Sequence, residues 1–185
     1  IAAAEELFRG EPTDVWAGAN LLRDNKGTIH ARTAFRGISF HESLYYVWKD
    51  GAWLQLDMPK KASLYGIVDG HLLYSIDEDW TVDGQTFAAD SLIAMDLEEW
   101  KANPNGAKKA LVWAPGPRQT KQGGSISGGG LYVNLLDNVV GKVLKFNFAN
   151  GQWVSKQVAL PDNATVGIAS SSDETDQIMY MVSGF

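Results

Sequence analysis

Ser125 and Ser127 lie in the run Gln122-Gly123-Gly124-Ser125-Ile126-Ser127-Gly128-Gly129-Gly130, and a serine set among glycines is where a nucleophile would first be sought. A hydrolase elbow needs glycine two positions before and two after the serine, on a strained strand-to-helix turn. Ser125 has Gly123 before it but Ser127 after it, while Ser127 has Gly129 after it but Ser125 before it. Neither serine completes the pattern and no helical periodicity follows. The run reads instead as a flexible glycine hinge between two strands. His30, His41 and His71 are the three histidines, and no two share the i, i+4 spacing of a helical metal site. His30 and His71 fall at the start of expected strands, so they read as surface or edge side chains. The acidic run Asp77-Glu78-Asp79, with Asp83 and Asp90 nearby, raises calcium. A calcium loop alternates its ligands and places glycine at the sixth position, where counting from Asp77 gives Val82. A glycosidase pair needs two carboxylates at a set distance in space, which is a property of the fold and not of spacing. A solvated loop is the plain reading of these acids. The chain has no cysteine, which removes disulfides and thiolate metal sites. The residues thus offer no catalytic, cofactor-binding or metal-binding position, and no cofactor is expected.

The seven tryptophans could stack sugars. Trp16, Trp48, Trp53, Trp113 and Trp153 lie in or beside expected strands, where aromatic rings pack between sheets. Trp80 and Trp100 lie in a longer inserted region and are the better candidates for exposure.

The elements that would position these residues are short. Apolar runs of four to eight residues, rich in Val, Ile, Tyr, Phe and Trp, alternate with turn residues. Between Leu64–Val68 and His71–Ile76 stands Asp69-Gly70, which supplies the two positive-φ positions of a type I′ hairpin. Asp50-Gly51 and Asn150-Gly151 do the same, with Asn25-Lys26-Gly27 and Asp83-Gly84 as weaker versions. Helical periodicity is nearly missing, apart from one turn toward Trp100 that Asn103-Pro104-Asn105-Gly106 would stop. The fold class is all-β. Val47-Trp48-Lys49-Asp50-Gly51-Ala52-Trp53-Leu54 is echoed one hundred positions later by Asn147-Phe148-Ala149-Asn150-Gly151-Gln152-Trp153-Val154. Strands ending at Pro59, Pro115 and Pro161 set a unit of roughly fifty residues, the size of a four-stranded propeller blade. The units fall at 13–59, 62–115 and 118–161, with partial blades at 1–10 and 164–185. A β-sandwich of about twelve strands is the competing architecture.

Composition bounds the partners. With 185 residues, 45% hydrophobic, there is enough chain for a core but about three and a half blades, short of a closed ring. That shortfall and the first residue, Ile1, lead to the expectation of a fragment with a cut end. A net charge of −6 argues against nucleic acid or an anionic membrane surface, since both want clustered Lys and Arg. A cut propeller would also expose blade edges that invite self-association.

Six segments resemble the propeller of bacterial members of the prolyl oligopeptidase family of serine peptidases. They are Phe8-Arg9-Gly10-Glu11-Pro12-Thr13-Asp14-Val15, Lys61 to Gly70, Ser75 to Trp80, Ser91 to Leu97, Leu135 to Lys142 and Val158 to Val166. Together they span nearly the whole chain, in order. One departure is Val140, where relatives commonly have arginine after Asp-Asn-Val. The resemblance implies a parent with a seven-bladed propeller and an α/β-hydrolase domain. That hydrolase domain would hold Ser, Asp and His, and it would be the partner of this segment. None of the three catalytic positions falls within the matching region. It also implies that the propeller restricts the parent to short peptides, and it favours a periplasmic or secreted protein over a cytoplasmic one. The rival reading is a stand-alone carbohydrate- or calcium-binding propeller or sandwich, which would use Trp80, Trp100 and the acidic loop.

Overall fold

A computed structural model describes residues 6–184. Sixteen strands and one short helix follow one another as β1(Trp16–Arg23), β2(Ile29–Gly37), β3(Ser43–Lys49), β4(Ala52–Gln55), β5(Ala62–Val68), β6(His71–Ile76), β7(Trp80–Val82), β8(Gln85–Phe87), β9(Leu92–Asp96), α1(Leu97–Ala102), β10(Ala110–Trp113), β11(Gln119–Ser127), β12(Gly130–Asp137), β13(Val140–Ala149), β14(Gln152–Gln157), β15(Ala164–Ser171) and β16(Ile178–Gly184). They form three four-stranded antiparallel sheets in the orders β1-β2-β3-β4, β5-β6-β9-β10 and β11-β12-β13-β14. The hairpin β15-β16 follows, and a small hairpin, β7-β8, is inserted within the second sheet. Each large sheet is a propeller blade, with its first strand innermost.

The turns are those the dipeptides dictate. Asp50 and Gly51 have φ of 51° and 83°, Asp69 and Gly70 47° and 75°, and Asn150 and Gly151 52° and 77°. The hundred-residue echo becomes a repeated cross-strand pair. Trp48 faces Trp53 with centroids 5.2 Å apart, and Phe148 faces Trp153 at 5.4 Å.

Blade stacking follows from strand alternation. In β6, Leu72, Tyr74 and Ile76 face the first blade, while Leu73 faces the third. In β9, Ile93 and Met95 go one way, Leu92 and Ala94 the other. The middle blade is thus buried on both faces, which is why its strands read as unbroken apolar runs. A two-sheet sandwich would not produce this series of stacked sheets, so that alternative is replaced by the propeller arrangement. Tyr132, Val143 and Val166 join the third blade to β15-β16.

Two differences concern the ends. Residues 1–5 of the expected partial blade over 1–10, and Phe185, lie outside the described residues. Residues 6–10 carry no strand. Phe8 instead packs its ring against Tyr46 and Trp53, and Trp53 Nε1 donates to the Leu7 carbonyl at 2.9 Å. Aromatic contact with the face of the first blade holds this stretch where strand pairing was expected.

Candidate functional site: the mouth of the inner-strand channel

The inner strands β1, β5, β11 and β15 contact one another in the order of the blades, so together they form one wall, facing the channel that a closed ring of blades would enclose. Convergence demands small side chains, and the sequence supplies Ala17-Gly18-Ala19, Gly123-Gly124-Ser125 and Gly167. A Cβ on Gly124 would stand 3.1 Å from the Tyr65 ring and from the Tyr132 carbonyl oxygen. Gly66, at φ +139°, would meet Ile126 Cδ1 at 3.1 Å. Each inner strand also breaks register with its neighbour: at Leu22/Arg23, Leu64/Gly66, Lys121/Gly123 and Ile168/Ser170. Such bulges increase local twist and re-aim side chains, and they recur next to functional clefts. Here they set Tyr65 and His30 outside their ladders, both near the channel mouth.

At that mouth is a cavity of about 490 Å³, lined by Arg23–Gly27, Tyr65, Gly66, Ile67, Ile126, Asp173 and Glu174. Three blades and the β15–β16 loop all contribute. The β1–β2 turn is braced from within. Asp24 Oδ1 accepts from the Lys26 and Thr28 amides at 2.9 Å each, and Oδ2 sits 2.9 Å from His30 Nε2. That imidazole contact, with the two amides, holds the Asp24 carboxyl down at about 2. Gly128 then ties the rim together. Its carbonyl accepts from Asn25 Nδ2 at 2.9 Å, and its N–H donates to the Ser172 and Thr175 carbonyls at 3.0 and 2.9 Å. A Cβ on Gly128 would press within 2.9 Å of Thr175 N. The glycine run is therefore not a flexible hinge. Close approach of the 172–176 loop requires glycine there and fixes it.

Ser125 Oγ lies 2.7 Å from Ser171 Oγ, and Ser127 Oγ donates to Asp176 Oδ1 at 3.1 Å. Neither has a histidine partner, so nothing activates either as a nucleophile. His71 Nδ1 contacts the Asp69 carbonyl at 2.8 Å and its ring packs on Phe148 and Trp153; His41 is exposed. The three histidines are not brought together. The acidic run is distributed among protein partners. Asp77 pairs with Lys121 at 2.8 Å, Glu78 accepts from the Lys61 amide, Asp79 from the Ala89 amide, and Asp83 lies 3.4 Å from Lys109. Among the described residues no group of three His, Cys, Asp or Glu is placed to hold a metal ion.

The tryptophan expectation needs correcting. Trp100 is 0% exposed, sealed in the first core by helix α1, and Trp80 is half-buried against Tyr74 and Phe87. Apolar burial of the inserted segment on the middle blade outweighs exposure there. Trp16 and Trp48 are instead 41% and 39% exposed, because they belong to the first blade, whose far face no described sheet covers. A sugar platform built on Trp80 and Trp100 therefore loses its residues.

Sequence reasoning missed one polar centre. Asp176 accepts from Tyr132 OH and Lys145 Nζ, both at 2.6 Å, as well as from Ser127. The Lys145 ammonium, then the Tyr132 hydroxyl, hold the Asp176 carboxyl below the usual range. The partners lie 31 to 49 positions from Asp176, so no local pattern announces the cluster.

No protein-family model matches the chain. An uncharacterized peptidase of Sinorhizobium fredii is 32% identical over 187 residues, covering 98% of this chain and 26% of that protein. An uncharacterized peptidase of Rickettsia prowazekii is 24% identical over 128 residues, covering 68% of this chain and 18% of that protein. A solved structure of a post-proline cleaving enzyme from Rickettsia typhi superposes with a TM-score of 0.80 at 20% identity, over 96% of this chain and 27% of that one. The chain spans about a quarter or less of the length of each curated relative. In sequence the chain is similar to uncharacterized bacterial peptidases, and in fold it is similar to the propeller-like part of a post-proline cleaving enzyme.

Proposed function

We propose that this chain is a non-catalytic propeller segment of a prolyl oligopeptidase-like serine peptidase, and that it gates access of short peptides to a hydrolase active site elsewhere in the parent polypeptide. The observation that supports this reading is the tightly packed inner-strand wall with its braced mouth cavity. Glycines pack against neighbouring strands and rings along that wall, so it is tightly built, and a closed ring containing it would exclude a folded protein by size. The wall itself contributes no serine with a histidine base among the described residues. An α/β-hydrolase domain would supply the triad and the oxyanion hole. The printed names of the relatives, peptidases and a post-proline cleaving enzyme, support the reaction class.

The test is direct. Purified chain incubated with alanyl-prolyl p-nitroanilide should release no nitroaniline. Turnover that persists through successive purification steps and follows the protein peak would overturn the non-catalytic assignment.

A further inference from the structure

Arg23 and Lys26 reach the mouth cavity from the β1–β2 turn, while Asp173 and Glu174 reach it from the β15–β16 loop. All four are exposed, and none enters an ion pair among the described residues. Opposite charges thus face one cavity from separate elements, over a floor of Tyr65, Ile67 and Ile126; Asp24 also lines the basic arm, but its carboxylate is taken up by the Lys26 and Thr28 amides and His30. Both arms are anchored to one residue. Gly128 accepts from Asn25 in the basic arm and donates to Ser172 and Thr175 in the acidic arm. The spacing between the arms is therefore built in. At about 490 Å³ the cavity is within the range of small-ligand sites, roughly 300–1,000 Å³.

We propose that the channel mouth is a binding site for the two ends of a short zwitterionic peptide. The α-carboxylate meets Arg23 and Lys26, where a guanidinium can hold it through two parallel hydrogen bonds. The α-ammonium meets Asp173 and Glu174, and apolar side chains rest on Tyr65 and Ile126. A peptide too long to place both ends, or one with a single end blocked, loses one arm, and one blocked at both ends loses both. The mouth thus selects for length through charge, in addition to any steric limit of the channel. The choice of a peptide as ligand rests on the gating reading above; the charge arrangement does not.

Isothermal titration calorimetry on the whole 185-residue chain tests this with free tetraalanine, the doubly capped N-acetyl amide, and the two singly capped forms. Free tetraalanine should bind about tenfold more tightly than the doubly capped form, with the difference shrinking at high salt. Arg23→Gln with Lys26→Gln should abolish the preference for a free carboxylate and leave that for a free amine. Asp173→Asn with Glu174→Gln should do the reverse. All four positions are exposed, so unchanged thermal melts should confirm intact folding. Equal affinity for free and capped peptides, or no binding of any, overturns the proposal. Digestion of folded proteins by the parent would sink the steric gate and leave this result standing, so the two failures are distinguishable.

Discussion

Gly129 shows how one hydrogen atom in place of a methyl group can hold two blades together. A Cβ there would run into the Asp176 carboxylate, which gathers Ser127, Tyr132 and Lys145. Gly129→Ala should cost about 1–3 kcal/mol, as overpacking at a tight contact does, and lower the urea midpoint. An unchanged midpoint would contradict the packing described. Asp176 also sets an acid response. Its folded carboxyl titrates below the ordinary value of 3.8, so its contribution is complete above that value and is lost as pH falls through the lower one. Asp24, held at about 2 by His30, behaves in the same way. The stability gap between the native chain and Asp176→Asn should therefore close as pH drops from about 5 to 2. A gap that stays constant in denaturation curves over that range would remove Asp176 from the account.

Strands and turns were legible because their rules are local. Asp-Gly and Asn-Gly pairs needed only positive φ, and short apolar runs such as Leu72-Leu73-Tyr74 marked strands. The channel mouth was not legible, since Asn25 and Gly128 meet across 103 positions. Trp100 was misjudged because helix α1 folds back as a cover over the middle blade. Asp96 caps that helix by accepting from the Glu98 and Glu99 amides, and this local device says nothing of which face is buried. Beneath the cover, the hydroxyl of fully buried Tyr74 has no partner among the described residues, and burial pushes that phenol far above its ordinary value. Removing an unsatisfied buried hydroxyl is neutral or favourable, so Tyr74→Phe should leave stability unchanged or raise it by up to about 2 kcal/mol. A clear fall in melting temperature would mean that the hydroxyl has a partner.

At the scale of the molecule, the stacked blades leave two apolar faces. Leu21 (45% exposed) and Trp48 stand on the first blade, with Met179 and Met181, both 65% exposed, on β16. In the parent polypeptide proposed above, further blades would cover them; in the isolated chain they should associate with one another. Light scattering should show mass rising with concentration, and Leu21→Lys with Met181→Lys should suppress the rise; a monodisperse native chain at high concentration would contradict it. The central claim concerns the wall these blades form. It is tested most directly by giving the parent polypeptide a short peptide with an alanyl-prolyl sequence and a folded protein displaying the same sequence in a surface loop. The account predicts that the short peptide is cleaved and the folded protein is spared. Cleavage of both at comparable rates would contradict it.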